Sequence, residues 1–164
     1  MKNRLKYILP LVILIGSSHM AQTENLFHEI PLDQQINDQT VKGPTEMSRR
    51  QVLLNRQQAV NIFEKGENGD SMTLSLTPGR VVTFKNLDFD PQLGGGAISW
   101  SGRVQGLEDG SATLVYRSGR ILGHVQIGAD TFTIKPRKDG VHVISQLDLS
   151  KLPDEGPVMV PPKQ

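Results

Sequence analysis

Between residues 97 and 145 the chain changes polarity at almost every second residue, and that period restricts the stretch to β-structure. Ile98, Trp100, Gly102 and Val104 fall on one side, with Ser99, Ser101, Arg103 and Gln105 on the other. Ala112, Leu114 and Tyr116 then oppose Thr113, Val115 and Arg117, and Ile121, Gly123, Val125 and Ile127 oppose Leu122, His124 and Gln126. Phe132 and Ile134 oppose Thr131, Thr133 and Lys135, and Val141 and Val143 oppose His142 and Ile144. The runs are separated by Glu108-Asp109-Gly110, Arg117-Ser118-Gly119, Gly128-Ala129-Asp130 and Lys138-Asp139-Gly140. Glycine takes positive φ cheaply, and Asp and Ser bond their own nearby backbone, so these clusters are turns. Strands joined by such short turns make an antiparallel meander.

Upstream, QVLLN at residues 51–55 has the character of a short strand. Asn55 is placed to cap a helical turn over residues 57–64, with Ala59, Ile62 and Phe63 on one side and Gly66 as its stop. One longer helix over residues 46–65 is the alternative. Residues 72–76 alternate as a strand, Pro78-Gly79 is a turn, and residues 80–85 form a second strand with Val82 and Phe84 on one face. Pro91 and Gly94-Gly95-Gly96 make a loop into the meander. A chain of 164 residues supports one domain with a real core. The expected fold is all-β, a single antiparallel β-sandwich or open barrel of about seven or eight strands, meander-rich, with one short helix.

Four segments are expected. Residues 1–21 have a secretory signal-peptide layout. Lys2, Arg4 and Lys6 open it, an apolar run follows over residues 8–15, and small residues lead to cleavage between Ala21 and Gln22. The apolar run is too short to span a bilayer of ~30 Å, so no stable membrane anchor is expected after cleavage. Residues 22–48 are polar, lack a clean period and form a flexible lead segment, with one apolar patch at Leu26, Phe27, His28, Glu29 and Ile30. Residues 49–153 are the β domain, and residues 154–164 are a Pro-rich extended tail. Export of a chain with no cysteine points to a bacterial periplasmic or secreted protein. The formal net charge of +1 argues against a nucleic-acid partner held by bulk charge.

Catalytic patterns are absent from the sequence. No cysteine is available as nucleophile or thiolate ligand, and no HExxH pattern is present. His124 and His142 are expected to share a wet face, but two imidazoles without a third ligand make a weak metal site. The carboxylate pairs Asp88/Asp90, Glu108/Asp109 and Asp154/Glu155 lie in turns and tails rather than across a cleft. Gly94-Gly95-Gly96 does not open a helix and is not a phosphate cradle. Trp100 shares the phase of Ile98 and Val104 and belongs to the core. Arg103, Arg117 and Arg120 line a solvated face. No catalytic residue, metal ligand or cofactor is therefore expected, and the chain is expected not to be an enzyme.

The strings RVVTF at residues 80–84, WSGRVQG at 100–106, ATLV at 112–115, the glycine-bounded strand at 119–128, FTIKP at 132–136 and DGVH at 139–142 resemble one family in content and order. The region from Arg49 to Glu155 resembles the propeptide-like region of bacterial secreted reprolysin-like zinc metalloproteases, and Leu152-Pro153 with Glu155 is similar to that family's exit towards the enzyme. The resemblance implies a pro-domain standing without the zinc-binding helix, whose partner is a secreted zinc metalloprotease held as inhibitor or folding assistant. The alternative is a standalone structural or adhesive β module without a protease partner. Such a domain acts by contact, through an extended segment or a sheet edge. The partner contacts expected are Leu26, Phe27, His28, Arg103, His124, His142, Val158, Met159 and Val160.

Overall fold

The computed structural model describes residues 24–31, 43–67 and 69–152. The expected signal segment with its cleavage site at Ala21 and Gln22, and the tail with Val158, Met159 and Val160, lie outside the described residues.

The strands are β1 (Phe27–Glu29), β2 (Glu46–Leu54), β3 (Ser71–Thr77), β4 (Arg80–Gly94), β5 (Ala97–Val104), β6 (Gly110–Arg117), β7 (Arg120–Ile127), β8 (Asp130–Pro136) and β9 (Val141–Leu147). All pair antiparallel in one sheet of order β1-β2-β9-β8-β7-β6-β5-β4-β3. The sheet curls until its two edges meet. Asn25 bridges Thr73, the Leu26 N–H donates to the Thr73 carbonyl at 3.0 Å, and the Asn25 Oδ1 accepts from the Ser75 N–H at 3.1 Å. The expected all-β antiparallel fold is thus present in its open-barrel form, with nine strands among the described residues.

The register carries the core across the sheet. Phe89, Trp100, Leu114, Gly123, Ile134 and Ile144 are successive partners in one row. Gly102, Ala112, Val125 and Phe132 form the next. Both rows belong to the interior, where Trp100, Leu114, Val125, Phe132 and Ile134 are fully buried. Gly102 and Gly123 give these side chains room: a Cβ on Gly102 would collide with the Trp100 ring, and one on Gly123 with Leu114.

The apolar patch of the lead segment docks on the chain's own domain. Leu26 and Phe27 are 0% and 1% exposed, and β1 pairs with the end of β2. Burying two such side chains contributes roughly 1.5–3 kcal/mol each, and the β1–β2 ladder with the bonds of Asn25 and Leu26 to β3 adds to this against about 1–2 kcal/mol per residue for ordering the backbone. Residues 24–31 therefore dock on their own domain. β2 is also longer than the stretch at 51–55. Its lower half is polar on both faces apart from the exposed Met47, which hides the strand period.

One end of the barrel is closed by a helix. Asn55 caps α1 (Arg56–Ala59) by accepting from the Gln58 N–H at 3.1 Å, and the helix runs on as a π-helical turn over Val60–Glu64. Ala59, Ile62 and Phe63 face the core, as their spacing indicates. The opposite mouth carries a polar clasp. Arg80 Nη1 lies 2.6 Å from Asp130, which also accepts from Gln146 at 3.0 Å. Arg50 points inward to the Ser75 Oγ at 3.3 Å, and burial, opposed by the charge of Glu29, holds its guanidinium below the usual arginine range.

Candidate functional site: the helix-capped rim and the free edge of β4

The expected contact residues scatter. Leu26 and Phe27 are core, while His28, Arg103 and His124 are exposed on separate elements. His142 is the clearest correction. The alternation of Val141 and Val143 with His142 and Ile144 is present, but its sidedness is reversed. Pairing of His142 with Pro136 and of Ile144 with Ile134 turns the imidazole inward, and it is 1% exposed. Its Nε2 accepts from the Ile121 N–H at 3.0 Å and its Nδ1 lies 3.0 Å from the Gly140 carbonyl. Those two bonds define the neutral tautomer with the proton on Nδ1. Burial, only partly offset by the Gly140 bond, pushes its pKa down. His124 stays outside, so the two imidazoles do not share a face. Among the described residues no three His, Asp or Glu side chains converge as metal ligands do.

Above the helix-capped rim β4 runs on past the end of β3 as an arm, paired on one side to β5, which itself stays paired to β6. The last β3–β4 pair is Ser71 with Lys85, and the Asn86 N–H is taken by the Asp70 carbonyl at 2.8 Å. From Leu87 to Gly94 the strand pairs only with β5. Its other side is an open edge bearing Leu87 and Leu93, which are 62% and 51% exposed. The loop expected at Pro91 is part of this strand. Register shifts after Asn86 and Asp90, together with Pro91, Asp88 and Asp90, are the devices by which natural edges resist pairing with copies of themselves.

Beside the arm, at the same end, a cleft of about 400 Å³ opens between the helix and the β6–β7 and β8–β9 turns. Tyr116 forms one wall. Its ring stacks on Phe63 with centroids 4.9 Å apart, and its hydroxyl donates to Glu64 at 2.5 Å. Burial, reinforced by the Glu64 carboxylate, pushes the phenol up to about 12. Arg56, Arg120 and Arg137 line the same cleft. Sequence reasoning placed Arg120 on a solvated face and passed over Arg56, because the barrel closure that brings them together is not a local signal.

No family model and no curated protein matches the chain. Among solved structures the chain is similar to one from "Structure of a chaperone-substrate complex", at 15% identity and a TM-score of 0.51, covering 68% of this chain and 92% of that one. At that identity the likeness is one of fold.

Proposed function

We propose that this chain is an exported, non-enzymatic protein-binding module that holds an extended segment of a secreted zinc metalloprotease, as folding assistant or inhibitor. The observation that carries the reading is the open edge of β4 over residues 87–94, which has no strand beside it among the described residues. Its main-chain row is interrupted at Pro91, which has no N–H, and at Gln92, whose N–H donates to the Asp90 carboxylate at 2.8 Å. Strand addition supplies affinity through the main chain and selectivity through alternate side chains. The edge sits on a filled, rigid barrel, which lowers the ordering cost of binding. Asp88 and Asp90 favour a segment carrying basic residues. The similar fold of a component of a chaperone-substrate complex fits a protein partner, and the resemblance of residues 49–155 to a metalloprotease propeptide-like region supplies the partner's class.

The test is capture from the culture medium of the source organism with the purified protein, followed by a caseinolysis assay. The expected catch is a protease that a zinc chelator silences, retained by the wild type and lost with Leu87→Lys/Leu93→Lys. Recovery of no chelator-sensitive protease, with proteolysis in the medium unchanged by added protein, overturns the reading.

A further inference from the structure

The cleft beneath the helix has a composition the β4 edge does not use. Two of its guanidiniums are uncommitted: neither Arg56 nor Arg120 makes an ion pair or side-chain hydrogen bond among the described residues. Arg56 is exposed and reaches over the β8–β9 turn, its Nη2 3.5 Å from where a Cβ on Gly140 would sit. Arg137 adds a third positive charge to the lining, against the single carboxylate of Asp139. Between the charges part of the wall is apolar, contributed by Leu54, Ala59, Val60 and the ring of Tyr116. The buried His142 is neutral and has both nitrogens engaged, so it adds no charge. The volume lies at the small end of the roughly 300–1,000 Å³ of ligand pockets.

We infer that this cleft binds the free C-terminal carboxylate of a polypeptide whose last residue is apolar. A guanidinium presents a planar fork that matches a carboxylate with two parallel N–H donors. Two such forks line this one cleft, Arg56 from the start of the helix and Arg120 from the start of β7, and together they can take one anion. The apolar part of the wall then takes the terminal side chain, and the cleft has no room for a folded domain. A bare inorganic anion leaves that part wet, so the match is to a carboxylate on an apolar stem. The inference rests on the reading above in one respect, that the ligand is a polypeptide. It assigns a second point of attachment, at the same end of the barrel as the β4 arm.

The experiment is an NMR titration of the whole chain with a blocked tetrapeptide ending in leucine. The peptide is supplied once as the free acid and once as the C-terminal amide, with acetate and inorganic phosphate as separate arms. The expected result is saturable shifts at Arg56, Arg120 and Tyr116 with the free acid, roughly tenfold weaker binding of the amide, and a similar loss in Arg56→Gln and in Arg120→Gln. Leu87→Lys leaves this binding unchanged, which separates the cleft from the β4 edge. Equal binding of acid and amide overturns the inference. So does binding of acetate or phosphate as tight as that of the peptide, which reduces the cleft to a simple anion site. Absence of shifts at millimolar peptide, with both variants folded as judged by their own spectra, overturns it too.

Discussion

Trp100 holds the chain that returns from the helix: its Nε1 donates to the Gly69 carbonyl at 2.9 Å while its ring lies buried over Gly102. The same carbonyl accepts from the Asn86 Nδ2 at 2.9 Å. Trp100→Phe therefore leaves Gly69 with a partner, and the cost is one hydrogen bond of about 1 kcal/mol plus the cavity left by the smaller ring. A loss of roughly 2–3 kcal/mol is expected, read as a lower urea midpoint with an unchanged slope.

Gly102→Ala and Gly123→Ala test the interior packing. Each new methyl collides with a fully buried side chain, the Trp100 ring or Leu114. Each is expected to cost about 1–3 kcal/mol by overpacking. Gly43→Ala, where nothing lies within 4 Å of the added Cβ, is the neutral comparison in the same urea series.

His142 makes stability fall on mild acidification. Its pKa is depressed in the folded state, so below about pH 6.5 the unfolded chain takes up a proton that the native imidazole refuses. Stability is then full above that pH and declines as pH falls towards the folded value, with a slope of at most about 1.4 kcal/mol per pH unit from this one group. His142→Gln is expected to be less stable at neutral pH yet flatter with pH. Glu46 acts in a separate, more acidic window. Burial would raise its carboxyl, but hydrogen bonds from Arg49, Ser145 and the Gly43 N–H outweigh that and hold it low, so its contribution is lost only as pH falls below about 4.5. Melting temperatures between neutral pH and about pH 5 isolate the histidine.

Most of the meander was legible because β5 to β8 are wetter on one face, and a period of two writes the buried face into the sequence. Trp100, the Asn55 cap and the inward spacing of Ala59, Ile62 and Phe63 follow from equally local signals. Reading failed where a strand has no wet face or no dry one. Val141 to Ser145 of β9 are buried on both faces, Val143 lying between Gln51 and Lys135, so nothing in that run tells inside from outside and His142 was assigned to the wrong one. β2 turns Ser48 and Arg50 towards a polar mouth, which erased its alternation. The β4 arm was concealed by Pro91 and its acids, the features that keep an edge from self-pairing. The arginine cleft depends on closure of the barrel between residues distant in the chain, which no window of sequence displays.

Amide hydrogen exchange of the purified protein, alone and saturated with the captured metalloprotease, bears most directly on strand addition at β4. Slowed exchange confined to the outward amides of residues 87–94, and to the β5 strand behind them, is the predicted result. A tight complex in which those amides exchange as fast as in the free protein, with protection elsewhere on the barrel, contradicts it.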